Sequence, residues 1–427
     1  MRILVDQSGY DLLNVGDVAM LQSCVEHLRA LWPGANIAVI CHDAQRLAQY
    51  CPGTTPVPAA PGRPGSVPGL PEKVRLGLGQ VHKMARPYTS LSRRRTPQER
   101  APRSLTGAIR WADVVVASGG GYLNDTWWWH GFGVLSVLGL AQRLGRPTAM
   151  FGQGLGPLSH PLLSHQARRV LPRLHVLGLR EGVVGLPLAL SLGVPPARVV
   201  VTGDDALDLA GPVATTSCAA TGSGARDALG VNARVTGYAG VNRSVADDVG
   251  RTLARAVAQH DARVIGLPVS RYETDSDLSS IRSLWPGPLP AGSVAEDLAT
   301  PLALATAAAG CRAVVTGSYH AAVFALAAGV PTVCLSNSGY YDAKFAGIAA
   351  LFPASTEVVP LGGRDLEQRL LAAIGRAWGA DEEARQAARE QATTQTAASK
   401  RLYQRFARLV TESARGGSSH ALRNEVA

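Results

Sequence analysis

Short apolar runs separated by amphipathic stretches dominate the first half of the chain. Each run is rich in Val, Ile, Leu and Ala and lacks polar alternation, which is typical of strands covered on both faces of a parallel sheet. Between these runs the pattern predicts helices at Val18–Leu31 and Gly131–Leu144. The predicted strands are Arg2–Asp6, Asn36–Cys41, Ala112–Ser118, Thr148–Gly152, Val176–Leu179 and Val199–Thr202.

A Gly-, Ser- and Ala-rich stretch, 210–227, interrupts the alternation and predicts a linker. The alternation then resumes, with strands predicted at Gly237–Asn242, Ala262–Leu267, Ala313–Thr316 and Thr332–Leu335 and helices at Val245–Gln259, Asp275–Trp285 and His320–Ala328. We therefore expect an α/β protein with two Rossmann-like domains whose parallel sheets face a central cleft. The expected parts are a first domain (1–210), a second domain (228–380), a C-terminal helix (381–415) and a disordered tail (416–427).

Composition narrows the class of protein. The 427 residues are 46% hydrophobic, which excludes global disorder. The longest apolar runs, such as Phe132–Ala141, are too short to span a bilayer, and the first residues predict a strand instead of a signal peptide. The six cysteines show no CxxC spacing, so we expect reduced thiols in a cytoplasmic protein and no zinc site. We expect neither a metal nor another cofactor.

The excess positive charge is concentrated in one segment. The net charge is +10, and the stretch 73–110 alone carries ten basic residues against Glu99. It lies in a predicted basic insertion, 52–110, of the first domain. Three interpretations stay open: a solvated loop without a specific partner, contact with an anionic substrate, or peripheral contact with anionic lipid at the inner membrane face. Nucleic acid is disfavoured because aromatic residues other than Tyr88 are missing from this stretch.

Loops at the carboxyl ends of the strands are where open α/β sheets bind ligands. The first such loop ends in Asn14-Val-Gly-Asp17. Asn14 is a candidate substrate contact and can also cap the following helix. Asp17 is a candidate catalytic residue that could accept a proton from a substrate hydroxyl, although a capping role explains it equally simply.

Two further loops in the first half carry candidate binding residues. Three successive glycines after a strand are costly in backbone entropy, which indicates close contact with another group. The loop Phe151–Leu158 has a glycine spacing that does not match GxGxxG, so a nicotinamide enzyme is disfavoured. The tryptophans at 127–129 could stack on a ligand or pack in the core. The candidate substrate contacts here are Gly120, Gly121, Asn124, Asp125, Gln153 and Arg180.

The most informative segment is the strand-turn-helix sequence from Val314 to Cys334. Gly317 turns the chain, and the free N–H groups of the following helix create an anion-binding pocket. His320, in the first turn, would lie beside a bound phosphate and could donate a proton, so it is the principal catalytic candidate. The further candidate contacts are Arg243, Ser318, Tyr319, Tyr341 and Lys344.

Taken in order, these motifs resemble the polysaccharide pyruvyl transferase family over roughly residues 2–352. The matching elements are Asn14-Val-Gly-Asp17, Gly119-Gly-Gly121 with Asp125, Gly152-Gln-Gly-Leu-Gly-Pro157, Arg180-Glu181, Gly203-Asp204 and the histidine segment ending in Ala328-Gly-Val-Pro331. The resemblance implies the two-Rossmann glycosyltransferase fold, with residues 1–210 as the acceptor-side domain and 228–380 as the donor-binding domain. It also implies transfer of a pyruvyl group from phosphoenolpyruvate to hydroxyls of a saccharide or lipid-linked saccharide, which gives a ketal.

The sequence departs from the family at one position that matters for the donor. Members usually carry Arg-x-His at the turn into the late helix, and both residues contact phosphoenolpyruvate. Here the same positions are Ser318-Tyr319-His320, so the arginine is absent, and Arg243, Arg271 or Lys344 would have to replace it. A nucleotide-sugar donor, and a catalytically silent sugar- or nucleotide-binding protein, stay open as alternatives.

Overall fold

The computed structural model describes residues 1–59, 102–211, 227–233, 243–273, 275–290, 292–293 and 298–423. Its first domain contains a parallel sheet with the strand order β3-β2-β1-β4-β6-β7-β8, and β5 pairs with β6. These strands are β1 (Arg2–Asp6), β2 (Asn36–Cys41), β3 (Thr55–Pro58), β4 (Val114–Ala117), β5 (Gly120–Leu123), β6 (Thr148–Leu155), β7 (Val176–Leu179) and β8 (Val199–Val201). The helices are α1 (Val15–Leu31), α2 (Ala44–Tyr50), α3 (Leu105–Trp111), α4 (Trp128–Arg143), α5 (Pro161–Val170) and α6 (Gly185–Ser191).

A hydrophobic core lies on each face of this sheet, and the central strands contribute side chains to both. In β4, Val115 and Ala117 pack on one side, whereas Val114 and Val116 pack on the other, and all four are fully buried. Successive side chains of a strand point to opposite faces, so an uninterrupted apolar run fills two cores at once. Burial of each valine contributes about 1.5–3 kcal/mol.

The second domain has a smaller parallel sheet with the order β10-β9-β13-β14-β15. Its strands are β9 (Ala228–Asn232), β10 (Arg263–Gly266), β13 (Ala313–Thr316), β14 (Thr332–Ser336) and β15 (Thr356–Pro360), and the short antiparallel pair is β11 (Arg271–Tyr272) and β12 (Asp275–Ser276). The helices are α7 (Arg243–His260), α8 (Asp277–Leu284), α9 (Pro301–Ala309), α10 (Tyr319–Ala327), α11 (Gly339–Leu351), α12 (Leu366–Trp378) and α13 (Glu382–Arg423). The expected α/β architecture of two parallel-sheet domains is confirmed.

The long helix α13 joins the two domains. Ala388 and Ala392 pack into the core beneath α10, whereas Tyr403 and Phe406 pack into the core beside β1 and β4. The ring of Tyr403 stacks on Phe151 with 3.7 Å between centroids. The C-terminal helix therefore returns from the second domain to the first.

Some boundaries differ from those expected. The first strand of the second sheet is Ala228–Asn232, whereas the sequence favoured Gly237–Asn242, which lies outside the described residues. The predicted insertion 52–110 begins with β3 and ends with α3, and both belong to the first domain. Most of the basic stretch 73–110 lies within the undescribed range 60–101. The tail expected from 416 is helical through Arg423, because extending an established helix costs little. The predicted linker falls largely within the undescribed range 212–226.

Candidate active site

A cleft of about 410 Å³ lies between the two domains, where the carboxyl ends of both sheets face each other. Loops and helix N-termini from both domains contribute its walls. The first domain supplies Ser8, Gly9, Tyr10, Asp11, Asn14, Asp17, His42, Gly121, Tyr122, Trp127, Trp129, His130 and Arg180. The second supplies Ser270, Tyr272, Gly317, Ser318, Tyr319, His320, Tyr340, Tyr341 and Lys344.

The start of α1 is held against the second domain. Asn14 is its N-cap, and its side-chain oxygen accepts hydrogen bonds from the backbone N–H groups of Gly16 and Asp17, at 3.0 and 3.2 Å. Asn14 also forms a β-bridge with Ser270, and the N–H of Val15 donates to the carbonyl of Val269 at 2.9 Å. Asn14 therefore positions Asp17 at the cleft wall while it links the two domains.

Gly16 leaves the space that His320 occupies. A Cβ added at Gly16 would lie 2.0 Å from Cγ and 2.1 Å from Nδ1 of His320, which is far closer than any side chain could tolerate. The glycine of the Asn14–Asp17 motif and the histidine of α10 are thus complementary parts of one site, contributed by different domains.

Asp204 lies beneath the imidazole. Its Oδ2 is 3.7 Å from Nε2 of His320, and both side chains are buried. Burial raises the pKa of Asp204 to about 7, against the lowering effect of nearby Arg180. The neighbouring Asp205 points elsewhere and accepts hydrogen bonds from the hydroxyls of Ser399 and Tyr403 on α13, at 2.8 and 3.0 Å. The two carboxylates point apart, as expected for adjacent residues.

The turn into α10 is built by a threonine. The backbone N–H of Ser318 donates to Oγ1 of Thr316 at 2.8 Å, and the Thr316 hydroxyl lies 3.2 Å from Oδ1 of Asn232. Ser318 occupies the N-cap position, but its side chain makes no capping hydrogen bond. Gly317, Ser318 and Tyr319 therefore present the first turn of a nine-residue helix to the cleft.

Two basic side chains flank the ring of Tyr319. The guanidinium carbon of Arg180 lies 4.1 Å from the ring centroid, and Nζ of Lys344 lies 5.3 Å from it. The Lys344 ammonium is also 5.6 Å from the ring of Tyr341. Burial disfavours the charge of Arg180, but Tyr319 and Asp204 raise the pKa of Arg180 overall, so it stays charged.

Glycines make room for the Arg180 guanidinium. An added Cβ would lie 3.0 Å from Nη2 of Arg180 at Gly121 and 2.5 Å from it at Gly154. At Gly120 the added atom would instead meet the ring of Tyr122 at 2.4 Å. The close contact indicated by the glycine-rich loop is therefore with side chains of this chain, and Gly120 does not line the cleft.

Three other candidate residues lie outside the cleft and make structural hydrogen bonds. Asn124 accepts from the N–H of Trp127 at 3.0 Å and so holds the turn into α4, beside a separate small cavity. Asp125 accepts from the backbone N–H of His160 at 2.8 Å and fixes the start of α5. The Gln153 amide is buried and donates to the carbonyl of Ser118 and to the hydroxyl of Tyr122. Arg243 begins α7, and its side chain is outside the described set.

Other cleft residues carried little signal in the sequence. Tyr10, Asp11 and His42 belong to unremarkable polar loops, and only their position after β1 and β2 could have drawn attention to them. Tyr272 comes from the antiparallel pair β11–β12, which was not predicted. Arg271, a proposed replacement for the missing family arginine, is exposed and does not line the cleft.

Within the described part of the chain, no group of three His, Cys, Asp or Glu side chains is arranged to hold a metal ion. None of the helices within the described ranges has the length and apolar character to cross a bilayer.

The fold is a two-domain fold of the GT-B type. Its structure is similar to that of S. aureus MnaA in a co-structure with UDP (TM-score 0.57, 12% identity, 94% of each chain covered). It is also similar to UDP-GlcNAc 2-epimerase from Neisseria meningitidis bound to UDP-GlcNAc (TM-score 0.56, 11% identity, 95% of this chain and 99% of that chain). A calicheamicin glycosyltransferase matches at a TM-score of 0.53 with 16% identity and 97% of each chain covered.

The sequence itself gives the family. Residues 14–339 match the model of the polysaccharide pyruvyl transferases. The chain belongs to that family, and it is a transferase that modifies sugars. No curated protein matches the sequence at a significant level.

Proposed function

We propose that this protein transfers a pyruvyl group from phosphoenolpyruvate to two hydroxyls of a saccharide or lipid-linked saccharide. The observation that carries the proposal is that Arg180 and Lys344 both lie close to the ring of Tyr319, the residue that precedes His320. This is a cationic site next to a proton donor, at the N-terminus of α10. Phosphoenolpyruvate carries a carboxylate and a phosphate on one small carbon skeleton and needs both features.

The missing family arginine has a substitute in this proposal. Ser318 stands where the family usually has arginine, but the buried Arg180 reaches the same turn from the first domain. The planar guanidinium of Arg180 can donate two parallel hydrogen bonds to a carboxylate or a phosphate. Such charge-assisted hydrogen bonds contribute about 1.5–3 kcal/mol each. Lys344 and the N–H groups of α10 add further positive potential.

The reaction requires one proton donor and one proton acceptor. His320 protonates the methylene carbon, and an acceptor hydroxyl, deprotonated by Asp17, bonds to the central carbon. A second hydroxyl then attacks that carbon, and the bond to the phosphate oxygen breaks. Two protons are released by the two hydroxyls. One makes up for the proton that His320 gave to the new methyl group, and the other leaves with phosphate. Asp204, at 3.7 Å from His320, supports the imidazolium form.

A nucleotide-sugar donor is the alternative. It is favoured by the fold, because the Neisseria protein of similar structure is described as bound to UDP-GlcNAc. The start of α10 could bind a diphosphate as well as a single phosphate. In a thermal-shift panel we expect phosphoenolpyruvate to raise the melting temperature, whereas UDP-sugars leave it unchanged. The reverse result would favour the alternative.

A peripheral contact of a cytoplasmic protein with an anionic membrane is a further part of the proposal. It rests on the ten basic residues of 73–110, because each cation near an anionic surface contributes about 1 kcal/mol. Deletion of 73–100 should abolish sedimentation with vesicles that contain phosphatidylglycerol. Unchanged sedimentation would exclude this contact.

A further inference from the structure

The first-domain side of the cleft is lined by rings. We refer to Tyr10, His42, Trp127, Trp129 and His130 as the aromatic wall; all five line the cleft. The ring of Tyr10 lies 4.8 Å from that of His130 and 5.4 Å from that of His42, between centroids. Trp127 and Trp129 meet edge to face at 5.6 Å. The wall thus consists of two packed groups of rings, Tyr10 with His42 and His130, and Trp127 with Trp129.

The three consecutive tryptophans have different environments. Trp127 and Trp129 line the cleft, whereas Trp128 does not and stacks instead on the ring of His160, with 4.0 Å between centroids and 9° between planes. Trp127 and Trp128 also pack against the core beneath α4, but Trp129 is not part of that core. Trp129 therefore belongs to the cleft without a major share in the packing of the domain.

Both acidic and basic side chains line the cleft. Among the described residues, the acidic ones that line it are Asp11 and Asp17, and both belong to the first domain. Nδ1 of His42 lies 3.0 Å from Oδ1 of Asp11. Burial lowers the pKa of His130 to about 4, so this ring adds no positive charge at neutral pH. The cations Arg180, from the first domain, and Lys344, from the second, lie close to the ring of Tyr319.

We propose that the aromatic wall binds the acceptor as an uncharged pyranose, with the C–H face of the sugar against Trp129 and hydroxyls bonded to Asp11. This inference rests on the proposed function, since it assigns the acceptor side of the same cleft. An amphipathic ring such as indole offers an apolar face to the sugar, and a carboxylate accepts hydrogen bonds from hydroxyls.

The same side chains select against acidic sugars. The carboxylate of a uronic acid bound at the wall would face Asp11 and Asp17, and like charges at close range repel each other. It would also be drawn to Arg180 and Lys344, where it would compete with the donor. The acceptor class is therefore neutral hexose units and not uronic acids.

Binding to a glycan array that carries neutral and uronic-acid-containing oligosaccharides tests this assignment. The wild type should bind neutral glycans preferentially. Trp129→Ala should weaken that binding about ten-fold, which corresponds to about 1.4 kcal/mol, and Trp129→Phe should retain most of it. Trp378→Ala is the matched control, because it removes an indole that stacks on the ring of His260 and does not line the cleft. Circular dichroism of each variant verifies that it is folded.

The outcomes separate this inference from the proposed function. Equal losses for Trp129→Ala and Trp378→Ala, a preference for uronic acids, or no binding to any neutral glycan would overturn the assignment. Each variant is also titrated with phosphoenolpyruvate in a thermal-shift assay. A phosphoenolpyruvate shift that persists while the array result is negative leaves the proposed function standing, whereas a wild type without that shift contradicts the proposed function itself.

Discussion

Gly16 and His320 come from different domains, yet they are packed so tightly that a single methyl group on the glycine would overlap the imidazole. A Cβ at Gly16 would lie 2.0 Å from Cγ of His320, where 3.4 Å or more is ordinary contact. The imidazole is thus held by the first turn of α1 on one side and by Asp204 on the other. The position of the proposed proton donor depends on both domains.

Gly16→Ala should therefore displace His320. We expect turnover to fall about 100-fold, similar to the loss for His320→Ala, because a displacement of about 1 Å at a reacting group can have that effect. The crowding should also lower the free energy of unfolding by about 1–3 kcal/mol. Steady-state kinetics and thermal denaturation measure the two effects.

Gly375→Ala is the control for this substitution. Gly375 also lies in a helix, but an added Cβ there meets no atom within 4 Å. It should leave turnover unchanged and stabilise the helix by about 0.5–1 kcal/mol. Normal turnover in Gly16→Ala would show that His320 does not need this position.

Asp204 and Asp205 should respond differently to replacement. Below pH 7, Asp204 gains a proton and no longer supports the imidazolium, so we expect turnover to fall on the acidic side with an apparent pKa near 7. Asp204→Asn should lower turnover and remove this limb from the pH profile. Asp205→Asn should keep the limb and lower the melting temperature, because Asp205 binds Ser399 and Tyr403 of α13. An unaltered profile in Asp204→Asn would exclude the role.

Arg180→Lys tests the donor site. Lysine retains the positive charge but cannot donate two parallel hydrogen bonds to one anionic group. We therefore expect the affinity for phosphoenolpyruvate, measured by isothermal titration calorimetry, to fall about 10- to 100-fold. Arg271→Lys is the control, since Arg271 is an exposed arginine next to the cleft residue Ser270 and its own side chain does not line the cleft. Equal affinities in the two variants would show that Arg180 does not bind the donor.

The pH dependence of stability follows from buried carboxyl groups. Burial raises the pKa of Asp6 to about 7, and its carboxylate accepts hydrogen bonds from the Tyr10 hydroxyl and the Gln7 N–H. Between about pH 4 and 7 the folded protein keeps a proton on Asp6 that the unfolded chain has released. The free energy of unfolding should therefore fall as the pH rises through this range, by up to about 4 kcal/mol from Asp6.

Asp6→Asn should reduce that fall, as measured by the melting temperature at pH 4.5, 5.5, 6.5 and 7.5. The comparison variant is Asp113→Asn. Although Asp113 is partly desolvated, Arg2 holds its pKa below the usual range, so its contribution to stability is lost only at lower pH. A slope that is the same in Asp6→Asn and in the wild type would contradict this explanation.

Strands that are apolar along their whole length could be located from the sequence. Asn36–Cys41, Val176–Leu179 and Ala313–Thr316 have the predicted bounds because burial on both faces leaves an unmistakable run. Ala228–Asn232 was missed because a glycine interrupts a short run that follows a Gly- and Ala-rich stretch. Thr356–Pro360, an edge strand that contains Glu357, was missed because it resembles a polar loop.

The residues of the candidate site could likewise be predicted from the sequence only in part. His320, Tyr319 and Lys344 lie in or beside a strand-turn-helix pattern that could be recognised locally, and they line the cleft. The contact of Gly16 with His320 and that of Arg180 with Tyr319 connect distant parts of the chain, and no local pattern encodes them. Asp125 was predicted to be a ligand contact because it is a polar residue in a loop that follows a strand. A residue whose carboxylate accepts hydrogen bonds from backbone N–H groups has the same position and polarity in the sequence.

Release of inorganic phosphate from phosphoenolpyruvate, followed by ³¹P NMR in the presence of a mixture of neutral oligosaccharides, tests the central claim most directly. The wild type should release phosphate only when both donor and saccharide are present, and His320→Ala should slow the release about 100-fold. Equal rates in wild type and His320→Ala, or no release from the wild type while UDP-sugars are consumed, would contradict the account.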